Sequence, residues 1–378
     1  MDKDSGEKLP SQNMQVDVKT GRTLLVSGPA SLRLLDGKVR VLGYPLEKQR
    51  RIVIKKGRQL PVEALDDSRL DCYISNSASC SEIRGSPIPD SWFDTMETIL
   101  EARKGKTVIV GNVDTGKTTF CTVVANLARE VGLKVAVIDA DLGQSDIGPP
   151  GTIGLGRVEN YVLSLSDVTP DLLYFVGYIS PTPIREKVLR GIERLVDRVT
   201  TFDILAVNTD GWVVDSQAIV YKKRLIDTVD PDFVVGVGEE HEVSPILELT
   251  ECISFQIESS SIVLKRTKEQ RRELREFGYR KYLTGAKSMM VDTRRIQLSY
   301  SGGRILKPTD IDESLVKALV GLIDDHGWLL GIGVLQGVDT KDRFLKVYSP
   351  VTRGFTKIEI GALKVSEQGT ELSYLEWE

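Results

Sequence analysis

A glycine-rich segment carries the clearest chemical pattern in the chain. It consists of Gly111, Asn112, Val113, Asp114, Thr115, Gly116, Lys117, Thr118 and Thr119. The segment lies between the apolar run TVIVG and a run with helical periodicity. Glycines at such positions let backbone N–H groups surround a phosphate, and the following helix adds its positive dipole end. The pattern predicts a nucleotide site where Lys117 reaches the β- and γ-phosphates and Thr118 binds Mg²⁺. A chance glycine-rich turn before a helix is the alternative.

Two aspartates follow the next hydrophobic run, in VIDADLGQSD. Asp139 and Asp141 stand at the carboxyl end of a predicted strand, which is the edge where open α/β sheets bind ligands. Residues two apart on an extended chain face the same way, so both carboxylates can point at the glycine-rich loop. One carboxylate can then support the metal shell, and the other can accept a proton from an attacking hydroxyl. A single metal-shell carboxylate followed by a turn residue is the alternative.

A basic stretch, KRTKEQRRELREFGYRK, covers residues 265–281. On a helix, Lys268, Arg271, Arg272 and Arg275 share one face, because their spacing is i, i+3, i+4, i+7. A solvated helix surface is the ordinary explanation. In a phosphoryl-transfer enzyme, such arginines form a movable lid that stabilises charge on the transferred group and excludes water. Because the chain also contains the phosphate loop, we favour the interpretation of this stretch as a lid.

Trp212 lies just past another apolar run, in the segment VNTDGWVV. An indole on the rim that carries the phosphate loop could stack on a nucleobase. A tryptophan packed into the core is the alternative. The same segment lacks the lysine of the base-reading NKxD motif, so a GTPase of the usual kind is disfavoured.

The elements that must position these residues fall into three regions. Residues 1–95 contain alternating β runs, and residues 96–285 contain buried β-branched runs separated by helical segments, which predicts mainly parallel strands with crossover helices. Residues 286–378 return to strand-like runs, with one helix predicted around residues 313–325. The predicted fold class is α/β, with a central P-loop NTPase domain flanked by mostly-β domains. Residues 265–282 form the lid within the central domain.

Composition limits the remaining possibilities. The chain has 378 residues, 41% of them hydrophobic, and a formal net charge of −4, so it offers no global attraction to nucleic acid. A polyanionic substrate would need a local basic patch. The four cysteines form no CxxC pair, which disfavours a zinc or disulfide framework. No apolar stretch has membrane-spanning length, and the first ten residues lack the apolar core of a signal peptide. A cytoplasmic protein is expected, or a nuclear one in a eukaryote.

Five segments, taken in their order along the chain, resemble the 5′-hydroxyl polynucleotide kinase family. They are GNVDTGKTT, DADLGQSD, SPTP, NTDGWV and the arginine-rich stretch. The family includes the RNA kinase of mRNA 3′-end processing and tRNA splicing, its nucleolar relatives and archaeal homologues. GPASLRLLDGKVRVLGYPL also resembles the family's N-terminal β-domain. The ending Lys117-Thr118-Thr119 replaces the more common Lys-Ser-Thr and keeps the metal-binding hydroxyl. The chain lacks the long extensions of the nucleolar relatives, so it is most like a compact archaeal polyribonucleotide kinase.

The resemblance implies transfer of the γ-phosphate of ATP, or of GTP, to the 5′-hydroxyl of RNA, with DNA as a further acceptor. It makes Lys117 the group that stabilises the transferred phosphoryl and Asp141 the general base. Thr118 and Asp139 would serve the metal. Gln144 and Trp212 would hold the RNA end.

The lid has more than one possible register, and Arg271 and Arg275 are chosen as catalytic over Arg266, Arg272 and Arg280. Two other functions remain open. The chain could be an ATP-binding scaffold of an RNA-processing complex with little turnover, or a kinase of nucleosides or other small molecules. The identity of RNA-processing partner proteins stays open as well.

Overall fold

The computed structural model describes residues 12–307, 310–339, 341 and 343–375. Strands occur in three successive groups along these residues, and the helices belong to the middle group. The helices are α1 Asp90–Glu101, α2 Lys117–Glu130, α3 Arg185–Arg198, α4 Ser216–Val229, α5 Glu240–Leu247 and α6 Lys268–Tyr282.

The first group of strands forms two antiparallel sheets. These strands are β1 Gln12–Val18, β2 Arg22–Ser27, β3 Ala30–Asp36, β4 Val39–Val41, β5 Tyr44–Pro45, β6 Arg51–Ile54, β7 Gln59–Ala64, β8 Ser68–Ile74 and β9 Cys80–Arg84. One sheet has the order β1-β8-β3-β6 and the other β5-β4-β7-β2-β9. Side chains along β3 alternate between buried and partly exposed, as expected of a strand with one face on a core. The predicted N-terminal β structure is confirmed.

The second group forms a seven-stranded sheet with the order β13-β12-β11-β14-β10-β15-β16. Its strands are β10 Gly105–Val110, β11 Val135–Ala140, β12 Thr152–Val158, β13 Leu172–Phe175, β14 Ile204–Thr209, β15 Phe233–Val237 and β16 Ile253–Ile257. The five strands from β11 to β16 in this order pair in parallel, and β12 and β13 add antiparallel pairs at one edge. Every residue of β11 and β14 is buried, which explains their continuous apolar sequences. The predicted α/β class is confirmed.

The third group forms a sheet with the order β17-β21-β20-β19-β22-β18, and β23 also pairs with β22. Its strands are β17 Lys287–Asp292, β18 Gln297–Tyr300, β19 Ala318–Ile323, β20 Leu329–Asp339, β21 Phe344–Ser349, β22 Lys357–Val365 and β23 Glu371–Tyr374.

The helix predicted around residues 313–325 is wrong. A single 3-10 turn, Glu313–Leu315, is followed by strand β19. Lys317 between them adopts the left-handed region, at φ 75°, which interrupts a helix. All six residues of β19 are buried, and a short, fully buried apolar run does not distinguish a strand from a helix by its periodicity.

Both flanking groups pack onto the central sheet. One hydrophobic cluster joins the N-terminal sheets to α1 and α2, and it includes Val41, Trp92 and Phe120. A second cluster joins the C-terminal sheet to the central one through Phe175 and Tyr279. Helix α1 runs across residue 95, so a division before Asp90 fits the helices better than the proposed domain boundary. Within the described residues, no helix is long and apolar enough to cross a membrane.

Candidate active site

The glycine-rich loop connects β10 directly to α2, as the sequence predicts. Gly111 has φ 152° and Gly116 has φ 110°, both in the region that favours glycine. A Cβ on Gly111 would lie 2.2 Å from the carbonyl oxygen of Val237, so the loop can close over the sheet edge only with glycine there. Gly116 is the residue before the first turn of α2, whose free N–H groups therefore face the loop. This is an anion-binding geometry.

Lys117 is the first residue of α2, and its side chain folds back into the loop. Its Nζ donates hydrogen bonds to the carbonyl oxygens of Gly111 at 2.9 Å and Asn112 at 2.6 Å. The residue is only 5% exposed. Burial lowers its pKa to about 8, against the opposing attraction of Asp141. The ammonium is therefore held inside the loop, where phosphate oxygens of a bound nucleotide would compete with the two carbonyls.

Thr118 and Asp139 are linked by a residue that the sequence reasoning missed, Asn208 at the carboxyl end of β14. The Asn208 side-chain amide donates to Thr118 Oγ1 at 3.3 Å and to Asp139 Oδ1 at 3.0 Å. Its own oxygen, Oδ1, is buried without a hydrogen-bond partner among the described residues. Amide and hydroxyl oxygens are suitable ligands for Mg²⁺ and suitable hydrogen-bond acceptors for its bound waters. The position of Asn208 at a strand end, beside the phosphate loop, was the signal that could have found it.

Asp139 is fully buried, and its carboxylate is already well satisfied. Oδ2 accepts the backbone N–H groups of Asp146 at 2.6 Å and Ile147 at 3.0 Å, while Oδ1 accepts Asn208 and the N–H of Asp141. Burial raises its pKa to about 7, and the nearby carboxylates of Asp146 and Asp141 add to the shift. With four donors on two oxygens, Asp139 fits an outer position around a metal, through water or Asn208, better than direct coordination.

Asp141 begins the loop after β11 and is only partly buried. Its Oδ1 accepts the N–H groups of Gly143 at 3.1 Å and Gln144 at 2.9 Å. No described residue donates a hydrogen bond to its other oxygen, Oδ2. Burial raises the pKa of this carboxyl, and the Lys117 ammonium opposes the shift. Asp141 thus combines a fixed side chain, a free oxygen and a raised pKa, which is what a general base needs.

Gln144 and the phosphate loop both touch the lid helix α6. The Gln144 side-chain amide lies 3.5 Å from the carbonyl oxygen of Arg271 and donates to Gly143 at 2.8 Å. Asp114 in the loop accepts Arg271 Nη2 at 2.7 Å and the backbone N–H of Arg266 at 2.9 Å. The structure therefore brings Arg271 to the phosphate loop, together with Arg266.

Arg275 lies elsewhere. Its guanidinium makes two hydrogen bonds with the carboxylate of Glu371 on β23, at 2.5 and 3.0 Å. Arg272 likewise bonds to the carbonyl oxygen of Glu371. The two arginines selected from the sequence are thus separated: Arg271 faces the phosphate loop, whereas Arg275 faces the C-terminal sheet.

A buried ion pair supports the loop after β14. Lys222 on α4 is fully buried, and its Nζ lies 3.0 Å from Asp210 Oδ2 and donates to the Asp210 carbonyl oxygen at 2.8 Å. The other oxygen of Asp210 accepts the backbone N–H of Trp212 at 2.9 Å. The charge of Lys222 also helps to lower the pKa of Lys117. The sequence did not indicate a role for Lys222, because this residue lies twelve residues after Asp210 on an ordinary amphipathic helix.

Trp212 is partly exposed on this rim. One contact is a stack on Tyr221, with ring centroids 5.6 Å apart, and its Nε1 donates to Asp215 at 2.7 Å. The Arg185 guanidinium lies 5.8 Å from the ring centroid. The indole is therefore held in a fixed orientation by its neighbours, and it is neither a core residue nor a freely exposed one.

The N-terminal sheets contribute one side chain to the site. Arg58, just before β7, bonds to Asp146 Oδ1 at 2.5 Å, and Asp146 follows the two candidate aspartates in the same loop. Among the described residues, no group of three or more His, Cys, Asp and Glu side chains is arranged to hold a metal ion. A metal here would depend on phosphate oxygens and water for most of its ligands, which is the usual situation for Mg²⁺ in kinases.

The central region matches a known family. Residues 111–285 match the family model of the mRNA cleavage and polyadenylation factor CLP1 P-loop. A polyribonucleotide 5′-hydroxyl-kinase of Pyrococcus abyssi is 28% identical over 342 residues, covering 77% of this chain and 96% of that protein. One of Methanocaldococcus jannaschii is 26% identical over 344 residues, covering 76% and 95%. A CLP1 homolog of Brugia malayi is 24% identical over 311 residues, covering 73% and 69%.

The fold is also similar to solved structures. The structure of a wild-type Clp1p–Pcf11p complex contains a chain that superposes with a TM-score of 0.73 at 14% identity, covering 93% of this chain and 98% of that one. The similarity therefore extends over all three groups of strands.

Proposed function

We propose that the chain, which is similar to the polyribonucleotide 5′-hydroxyl-kinases and to the CLP1 P-loop family, transfers the γ-phosphate of ATP to the 5′-hydroxyl of RNA. The observation that carries the proposal is the convergence of three groups on one edge of the sheet. Lys117 lies in the phosphate loop, Asp141 presents a free carboxylate oxygen, and Arg271 reaches the loop from the lid. A nucleotide-binding scaffold needs only the first of these groups.

Each group has one task in this reaction. Lys117 exchanges its two carbonyl partners for oxygens of the β- and γ-phosphates, and the N–H groups at the start of α2 bind the same phosphates. Asp141 accepts the proton of the 5′-hydroxyl as that oxygen attacks the γ-phosphorus, and the bond from the γ-phosphorus to the bridging oxygen of ADP breaks. Arg271 leaves Asp114 for the transferred phosphoryl, where its guanidinium offsets the charge that spreads over the equatorial oxygens.

Mg²⁺ would be held by the Thr118 hydroxyl and by water molecules whose hydrogen bonds Asn208 and Asp139 would accept. When bound, the ion would neutralise phosphate charge. Gln144 follows Asp141 in the same loop, and Trp212 lies on the rim just after β14. We assign them to the RNA end, with the indole stacking on the first base. GTP as a second donor and DNA as a second acceptor belong to the same proposal, as does a cytoplasmic location.

The decisive experiment incubates 5′-hydroxyl RNA oligonucleotides with γ-labelled ATP and Mg²⁺. We expect label at the RNA 5′ end from the wild-type protein and none from Lys117→Ala. Longer oligonucleotides should bind more tightly than a nucleoside, with an affinity that falls as salt rises. Folded protein that binds ATP and labels no 5′-hydroxyl polymer would refute the proposal and favour the scaffold. Labelling of nucleosides alone would favour a small-molecule kinase.

A further inference from the structure

The lid helix α6 has little apolar surface of its own with which to hold its position. Of its fifteen residues, Tyr279 alone is fully buried, and it packs in a hydrophobic cluster with Leu319 and Leu363 of the C-terminal sheet. The opposite end of the helix carries Arg271, which bonds to Asp114 of the phosphate loop. Two turns therefore separate the apolar anchor of the helix from the residue that contacts the phosphate loop.

Polar contacts in the middle of the helix converge on one residue of the C-terminal sheet, Glu371. Its carboxylate binds the Arg275 guanidinium through both oxygens, at 2.5 and 3.0 Å. Its carbonyl oxygen accepts from Arg272, and its backbone N–H donates to Glu276 Oε1 at 3.1 Å. The Arg275 and Glu371 side chains are only 14% and 10% exposed, so water screens this pair weakly.

The spacing of these residues gives the contact a direction. Arg271, Arg275 and Tyr279 are four residues apart, so they form one stripe along the helix. A bidentate pair between arginine and carboxylate fixes the plane of the guanidinium as well as its distance. Holding Arg275 thus restricts both the rotation and the translation of α6, and it sets where Arg271, one turn away, can reach.

We propose that Glu371 is a positioning residue for the kinase reaction: by holding Arg275, it orients the lid so that Arg271 is presented to the phosphate loop. The proposal rests on the proposed function for its catalytic part. It assigns different tasks to the two arginines, since Arg271 acts on the phosphoryl group and Arg275 anchors the helix. It also gives the C-terminal β-domain a task in the chemistry of the central domain.

The test replaces the carboxylate by an amide of the same shape, Glu371→Gln, in the full chain. The matched control is Glu367→Gln, because Glu367 lies in the same domain and its carboxylate bonds to Lys317 at 2.7 Å and to Gln336, and to no described residue of α6. Two measurements are made on both variants. Hydrogen–deuterium exchange follows the backbone amides of residues 268–282, and steady-state labelling of 5′-hydroxyl RNA gives kcat and the KM for ATP.

We expect faster exchange in residues 268–282 of Glu371→Gln, with α2 unchanged. We also expect a fall of about 10- to 100-fold in kcat and little change in the KM for ATP, as for a misplaced catalytic group. The control should match the wild type in both measurements. If Glu371→Gln does not fold in a thermal melt, Glu371→Asp, which keeps the charge and shortens the side chain, carries the same measurements.

Unchanged exchange in α6 would overturn the anchoring, whatever the protein phosphorylates. Faster exchange with an unchanged or increased kcat would overturn the positioning role, and an increase would mean that Glu371 restrains Arg275. If the wild type labels no RNA while α6 still loosens in the variant, the proposed function fails and the anchor stands. The two failures are therefore distinguishable.

Discussion

Replacing Asp141 by asparagine separates its chemical role from its structural one. Asparagine has nearly the same shape, and its Oδ1 can still accept the N–H groups of Gly143 and Gln144, which Asp141 binds at 3.1 and 2.9 Å. What disappears is the free oxygen that can take up a proton. Burial raises the pKa of Asp141, which means that the folded protein disfavours the ionised carboxylate. The neutral amide of asparagine should therefore not lower the melting temperature.

The expected effect on catalysis is large. General-base catalysis contributes about 10²- to 10⁴-fold, so the labelling rate of Asp141→Asn should fall by that factor, which corresponds to about 3–5 kcal/mol in the barrier. ATP binding, measured by calorimetry, should persist, because Lys117 and the loop N–H groups are untouched. The activity that remains should no longer fall at low pH, because the group whose protonation causes that fall is absent.

The control is Asp171→Asn, which removes the same charge from a partly exposed pair with Arg157, far along the chain from the loop. This variant should label RNA at the wild-type rate. Full activity in Asp141→Asn would remove this residue as the base. A variant that neither binds ATP nor melts cooperatively would show a structural role instead, contrary to the reasoning from its hydrogen bonds.

Three other predictions concern charges around the loop. Arg271→Ala should lower the labelling rate by about 10³-fold or more, the usual value of an arginine at the transferred phosphoryl, while the exposed Arg280→Ala should not; equal rates would exclude Arg271. Burial lowers the pKa of Lys117 to about 8, so kcat/KM for ATP, which reports the free enzyme, should fall above about pH 8. In contrast, kcat should persist to higher pH, because bound phosphates restore the charge; a flat kcat/KM profile to pH 10 would contradict this. Lys222→Met leaves Asp210 buried without its cation and should cost about 3–5 kcal/mol in urea unfolding, with part recovered by adding Asp210→Asn; no loss would show that the pair does not support the fold.

Residues that act through the backbone or through local spacing could be predicted from the sequence. The loop from Gly111 to Gly116 was readable because its glycines, its lysine and the flanking strand and helix are contiguous. The sequence predicted Asp139 and Asp141 as a pair at a strand end, but it did not predict the difference between their hydrogen-bond partners. This difference arises because the chain after Asp141 turns back and places two backbone N–H groups on Asp139.

Long-range partners could not be predicted in this way. Arg271 and Arg275 are equivalent in sequence, four residues apart on one face, and they differ only because Asp114 of the phosphate loop pairs with the first and Glu371 of the C-terminal sheet with the second. Lys222 and Asp210 meet because α4 packs against the end of β14. Similarly, the strand β19 was mistaken for a helix because its buried apolar run has no periodicity that reveals its partners.

The charges around the loop show why the lid and the nucleotide should be coupled. Arg271 is paired with Asp114, Arg58 with Asp146 and Lys222 with Asp210. Lys117 is solvated by carbonyl oxygens, so few positive charges are free to attract a triphosphate. Arg271 must therefore exchange Asp114 for a phosphate oxygen, and the displaced carboxylate repels the nucleotide unless the metal and Lys117 offset it. Nucleotide binding and the position of α6 thus become one equilibrium, and Asp114→Asn should bind ATP more tightly while holding the lid less firmly.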